Sequence, residues 1–211
     1  MNIQDLLLIA PPILFALTVH EFSHAYVAFS YGDDTAKQAG RLTLNPIKHL
    51  DPLGTIMLFI VHIGWAKPVP VNPRLLRNPK KDMLWISAAG PLSNMFIALI
   101  SGLLYRLLFA AFGYPAEGSF IDSLMLMVKF SLTINLVLAV FNILPIAPLD
   151  GSKILYGILP ASYRNFIFFL ERYGPFILIG LIIIGRATNI SILGALIWPF
   201  VKFFSKLFGG I

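Results

Sequence analysis

The residues of this chain best suited to chemistry are His20, Glu21 and His24, which lie in an otherwise almost entirely apolar stretch. Histidines four positions apart project from the same face of a helix, one turn from each other. Two imidazoles so placed, with a glutamate beside the first, can hold a zinc ion and set a general base next to it. Ionisable groups inside a membrane-spanning helix are costly and usually functional. The pattern therefore predicts a metal site within a membrane helix.

A catalytic zinc ion usually has three protein ligands, so a third ligand must come from elsewhere in the chain. Asp150 stands out because it follows a helix end interrupted by Pro145 and Pro148 and is followed by Gly151. Prolines end the helix and glycine permits close approach, so this carboxylate could reach an ion at membrane depth. From the residues alone, a helix cap or an ordinary loop carboxylate explains Asp150 equally well.

Two further polar side chains have candidate roles. Glu21 lies about 100° around the helix from His20, where it could take a proton from water and later protonate a leaving amine. Alternatively, Glu21 could form an ion pair with a lysine near the membrane interface. Asn142 could hydrogen-bond a substrate backbone or a developing oxyanion, or it could pack between helices. Asn135, seven residues earlier, is best explained as a hydrogen-bonding link between helices.

The composition is that of an integral membrane protein. Of the 211 residues, 57% are hydrophobic and 12% are charged, and the mean hydropathy is +0.80. A soluble domain this apolar could not cover its surface with polar groups. Because the chain has no cysteine, disulfides and thiolate ligands are excluded. The net charge of +6 does not indicate nucleic acid, because the basic residues flank apolar segments, where they contact lipid head groups.

The apolar segments predict one α-helical polytopic membrane domain over residues 1–211. Three core helices are expected at about 5–31, 83–112 and 123–145, and two C-terminal helices at about 166–185 and 190–208. The first segment lacks the features of a cleaved signal peptide and should remain as a helix. Between the first two core helices, residues 40–73 are expected to form a small re-entrant or β element, because residues 53–65 are short and rich in β-forming side chains.

The distribution of basic residues predicts the orientation. Lys and Arg are frequent in residues 33–82 and absent from residues 114–122. Because cytoplasmic loops carry an excess of these residues, the long loop should be cytoplasmic and the N-terminus outside. The histidine pair and Asp150 then lie toward the same, cytoplasmic side of the membrane.

Taken together, four separated signatures resemble the site-2 proteases, which are intramembrane zinc metallopeptidases. They are HEFSH with a following alanine, GPLSN, NILP and LDG, at residues 20–28, 90–94, 142–145 and 149–151. The segments 40–46 and 64–73 are similar to the short prokaryotic branch, and no PDZ domain is visible. The resemblance implies one zinc ion per chain. It also implies a three-helix core, a membrane-associated β element beside the substrate path, and a set of site residues: ligands His20, His24 and Asp150, catalytic base Glu21, and substrate contact Asn142.

The predicted function is hydrolysis of a peptide bond in or near a transmembrane segment of a membrane-protein substrate. The expected location is the cytoplasmic membrane of a prokaryote, with membrane lipids and the substrate as partners, no nucleic acid, and no prediction of oligomeric state. An edge strand within residues 53–65 is expected to pair with the unwound substrate. The alternatives are a membrane metal-handling or transport protein, which usually has inverted repeats, and a non-catalytic scaffold of the same fold, which would lack Glu21 or a ligand.

Overall fold

The computed structural model describes residues 3–61 and 64–211, and within these residues the chain is mostly helical. Five of the helices in these residues, which begin at residues 3, 79, 120, 164 and 192, are long and apolar enough to cross a membrane, which confirms the predicted helical membrane fold. Short 3-10 turns occur at Pro46–Lys48, Pro73–Leu75 and Ala161–Tyr163. The α-helices are α1 Ile3–Ser30, α2 Thr35–Gln38, α3 Pro52–Val61, α4 Pro79–Phe112, α5 Phe120–Ile143, α6 Asp150–Ile158, α7 Arg164–Thr188 and α8 Ile192–Gly209.

Two of the core helices, α4 and α5, begin at side-chain caps. Asn78 accepts a hydrogen bond from the Lys81 N–H and is followed by Pro79, which fits the first turn because that position needs no N–H donor. Ser119 caps α5 in the same way by accepting from the Asp122 N–H. These caps fix where α4 and α5 enter the helix bundle.

Helices α1, α4 and α5 pack against one another and form the centre of the protein. Ala98 of α4 and Leu132 and Leu136 of α5 are fully buried there, and α8 packs on the same cluster through Ile197 and Val201. This buried apolar contact holds α8 against the centre of the bundle.

The C-terminal end of α8 is tied to α4. Arg106 donates hydrogen bonds to the carbonyls of Lys206 and Leu207, at distances of 3.2 and 2.7 Å. These carbonyls belong to the last turn of the helix, where backbone donors run out, and the Lys206 carbonyl also accepts from the Gly210 N–H at 3.1 Å. Arg106 therefore caps α8 and fixes its end beside the second half of α4.

The predicted β element is wrong, because most of residues 53–65 belong to helix α3. Asp51 Oδ1 accepts a hydrogen bond from the Gly54 N–H at 2.7 Å, and Pro52 occupies the first helical position. The Asp51 cap and Pro52 favour a helix here more strongly than the following β-branched residues favour a strand. The strand-like feature in the described part of this segment is a single antiparallel bridge between Leu50 and Ala66, and residues 62 and 63 lie outside the described residues.

Candidate metal centre

Three buried ligand atoms meet between α1 and α6. The Nε2 atoms of His20 and His24 are 3.0 Å apart, and Asp150 Oδ2 lies 3.1 and 3.2 Å from them. Ligand atoms around a tetrahedral zinc ion are separated by roughly 3.3 Å, given bond lengths of about 2.0–2.2 Å. The triangle therefore has the size that zinc requires, and the structure brings together the three residues chosen from the sequence.

The hydrogen bonds on the far side of each imidazole determine which ring nitrogen carries the proton. His24 Nδ1 lies 2.6 Å from the carbonyl oxygen of Ile86, which can only accept. His20 Nδ1 lies 2.6 Å from Asn94 Oδ1, while the amide nitrogen of Asn94 donates to the Ala16 carbonyl at 3.1 Å. Both imidazoles therefore carry their proton on Nδ1 and present a bare Nε2 lone pair to the site.

The third atom of the triangle, Asp150 Oδ2, is also an acceptor. It is buried and receives no hydrogen bond. An aspartate carboxyl is ordinarily ionised at neutral pH, so this oxygen can only accept. Three acceptors facing one another are unfavourable without a cation between them. The donor set thus fits a divalent ion such as zinc.

A glycine in α4 makes room for the ligand atoms. A Cβ on Gly90 would lie 2.5 Å from His24 Nε2 and 2.6 Å from His20 Nε2, where it would block the centre of the site. Glycine at this position lets the α4 backbone pass directly beside the two imidazoles.

A second glycine positions the carboxylate. Helix α5 ends at Ile143, and α6 begins at Asp150 after the proline-containing turn. A Cβ on Gly151 would overlap the carbonyl oxygens of Ile143 and Leu144. Because Gly151 has no side chain, α6 starts in contact with the end of α5 and delivers Asp150 to the histidine pair.

Glu21 is half-buried next to the ligands and is held by the segment that follows α3. Its Oε2 accepts a hydrogen bond from the Val69 N–H at 3.1 Å. Val69 lies between Pro68 and Pro70, neither of which has an N–H to donate. No sequence motif predicted this contact, although an N–H between two prolines indicates a backbone donor that is free of regular secondary structure.

The three asparagines on α4 and α5 have different surroundings. Asn142 is half-buried on the last turn of α5, and its amide donates to the Leu138 carbonyl at 3.0 Å. Its contact with substrate stays a prediction. Asn135 links α4 and α5, as expected, by accepting from the amide of Asn94 at 2.8 Å. Asn94 also contacts His20, which the sequence motifs did not predict.

Comparisons with known proteins agree on one family. "Putative zinc metalloprotease YwhC" of Bacillus subtilis (strain 168) is 40% identical over 204 residues, covering 93% of this chain and 90% of that protein. "Putative zinc metalloprotease Rip2" of Mycolicibacterium smegmatis is 30% identical over 182 residues, covering 83% of this chain and 66% of that protein. Rip2 of Mycobacterium tuberculosis (strain H37Rv) is 32% identical over 148 residues, covering 67% of this chain and 53% of that protein.

No solved structure gives a significant match to the chain. The family model described as Peptidase family M50 matches residues 8–181, a range that includes the histidine pair, Glu21 and Asp150. Because this match spans most of the sequence, the chain belongs to peptidase family M50, the family of the site-2 proteases.

Proposed function

We propose that this protein hydrolyses a peptide bond in or near a transmembrane segment of another membrane protein. The observation that carries the proposal is the triangle of two bare imidazole nitrogens and a buried carboxylate oxygen, with sides of 3.0–3.2 Å. Membership of family M50 and the zinc metalloprotease names of the relatives support the same activity. The five apolar helices support its location in a membrane.

We propose His20 Nε2, His24 Nε2 and Asp150 Oδ2 as the ligands of one zinc ion per chain. Zinc bound there would supply the Lewis acidity that makes water a nucleophile at neutral pH and polarises a carbonyl. Three such ligands would leave one position of a four-coordinate ion for water, as in catalytic zinc sites.

We propose Glu21 as the group that moves the proton. One of its carboxylate oxygens is occupied by the Val69 N–H, which leaves Oε1 to accept the proton of the attacking water. The same oxygen can then protonate the leaving amine, which completes peptide hydrolysis. The fixed Oε2 keeps the carboxylate from rotating between these two steps.

The substrate segment must be locally unwound before attack, because a helix satisfies all its backbone groups internally. We propose that Asn142 contacts the exposed substrate backbone. Its bond to the Leu138 carbonyl uses one amide proton, so its carbonyl oxygen and second amide proton are available to a peptide.

We propose the cytoplasmic membrane of a prokaryote as the location, with the metal site toward the cytoplasm. The excess of basic residues between α1 and α4 supports this orientation. Exposed apolar side chains on the long helices, such as Leu107, Phe176 and Ile183, suit contact with lipid. The proposed partners are a transmembrane substrate and membrane lipids.

The test compares purified full-length protein with its Glu21→Gln variant, both in nanodiscs with zinc and a panel of transmembrane peptides. Wild type should release product, and the variant should bind zinc equally but release none. Product from both proteins would contradict the assignment of Glu21. A zinc-loaded wild type that binds the peptides without cleaving them would support a scaffold instead of an enzyme.

A further inference from the structure

A line of hydrogen bonds runs from the metal site across the helix bundle. His20 Nδ1 lies 2.6 Å from Asn94 Oδ1, and the Asn94 amide nitrogen lies 2.8 Å from Asn135 Oδ1. The Asn135 amide nitrogen donates in turn to the Ser131 carbonyl at 2.8 Å. Both asparagines are completely buried. One line of polar contacts therefore connects a proposed ligand on α1 with α4 and α5.

Backbone carbonyls fix the direction of every bond in this line. The Asn94 amide nitrogen donates to the Ala16 carbonyl, and the Asn135 amide nitrogen to the Ser131 carbonyl. A carbonyl can only accept, so neither amide can turn over without placing two acceptors in contact. Asn94 therefore presents its oxygen to His20, and the proton between them must come from the imidazole.

The location of that proton determines whether His20 can bind a metal. A neutral imidazole has one N–H, and only the other nitrogen can be a ligand. If Asn94 did not accept from Nδ1, the proton could lie on Nε2 instead, where Asp150 Oδ2 would accept it at 3.1 Å. Nε2 would then no longer be available to a metal ion.

We infer that Asn94, held in place by Asn135, is a positioning residue that keeps the proton of His20 on Nδ1 and so prepares Nε2 for the metal. This inference deepens the proposed function and rests on the role of His20 as a ligand. His24 needs no such residue, because its Nδ1 is paired with the backbone carbonyl of Ile86. A side-chain substitution can therefore remove the hydrogen-bond acceptor of His20 Nδ1 but not that of His24 Nδ1.

The inference predicts a loss of zinc affinity that a purely structural role would not cause. Loss of a partner that orients a metal-bound histidine typically weakens metal binding by about 10–100-fold. Asn94→Leu, which has the same number and branching of side-chain heavy atoms but no acceptor, should show this loss. Asn94→Asp keeps an acceptor for His20 and should bind zinc more tightly than Asn94→Leu, because carboxylates serve as partners of metal-binding histidines. Its affinity should stay below that of wild type, because its second oxygen would face the Ala16 carbonyl and Asn135 Oδ1, which can only accept.

Ser101→Ala is a matched control. Ser101 Oγ lies 2.9 Å from Ser131 Oγ, so it forms another polar contact between α4 and α5, about two turns further along α4. Its removal should lower helix-bundle stability without changing zinc affinity. The experiment measures zinc dissociation constants by chelator competition on full-length protein in nanodiscs, together with thermal unfolding of the metal-free forms.

Asn94→Leu with wild-type zinc affinity would overturn the inference, as would an equal loss in Ser101→Ala. If Asn94→Leu does not fold, Asn135→Ala replaces it, and it should weaken zinc binding severalfold because Asn94 loses its anchor. An unchanged affinity in that variant would also overturn the inference. Zinc affinity is measured without substrate, so absence of cleavage by zinc-loaded wild type would count against the proposed function alone.

Discussion

The backbone N–H of Val69 donates a hydrogen bond to Oε2 of Glu21 across 3.1 Å. Residue 69 belongs to an extended segment between α3 and α4, whereas Glu21 lies on α1, so two distant parts of the chain meet at the proposed base. Hydrogen bonds to a charged group are worth about 1.5–3 kcal/mol. Through this contact the segment between α3 and α4 holds one oxygen of the proposed base in place.

Replacing Val69 by proline should remove this donor. We expect cleavage to fall about 10–100-fold, which is the rate equivalent of a lost hydrogen bond to a charged group. Zinc content should not change, because Val69 contacts the base and not the ligands. Val69→Ala is the control, since it shortens the side chain but keeps the N–H. Equal cleavage rates of the two variants would show that the bond does not contribute.

Gly90→Ala should abolish zinc binding. The added methyl group would lie 2.5 Å from His24 Nε2, closer than real Cβ atoms approach other atoms. Metal analysis of the purified variant checks this. Gly180→Ala on α7 makes the same change where nothing lies within 4 Å of the new methyl group. It should retain zinc and gain up to about 1 kcal/mol of stability, because alanine is the better helix former. Normal zinc content in Gly90→Ala would mean that α4 can move aside.

Asp150→Ala should weaken zinc binding by more than the roughly 10–100-fold that loss of an outer hydrogen-bond partner costs. The substitution removes one corner of the ligand triangle and leaves two imidazole nitrogens. Asp122→Ala is the control, because that carboxylate accepts from the Gly118 N–H in the loop between α4 and α5. Chelator competition measures both variants. Similar zinc affinities in the two would exclude Asp150 as a ligand.

Removal of the metal should stop cleavage and lower the unfolding temperature together. A ligand that binds only the folded state stabilises it by about 2.7 kcal/mol when its concentration is 100 times its dissociation constant. Thermal unfolding with chelator, and again after addition of zinc, gives the shift. Glu21→Gln should show the same stabilisation as wild type, since it keeps all three ligands. Stabilisation that persists in His24→Ala would place the ion elsewhere.

Local sequence patterns were sufficient to select His20, His24 and Asp150, which the structure brings together as a candidate metal site, and the proposed base beside them. The spacing of His20 and His24 requires only helix geometry, and the prolines and glycine around Asp150 indicate a turn that can reach inward. The β-branched residues of α3 favour a strand, and on that basis the sequence predicted a β element. The helix forms instead because Asp51 caps its first turn and Pro52 fits its first position. The contact between Asn94 and His20 joins two helices, and no local pattern encodes it.

The order of the site residues along the chain has a consequence during biosynthesis. His20 and His24 belong to the first helix, whereas Asp150 begins α6, after α4 and α5. A nascent chain that has not yet reached Asp150 holds only two of the three proposed ligands, however well its first helices have inserted. On the proposed ligand assignment, hydrolytic competence would therefore arise late in translation, after α4 and α5 have been made.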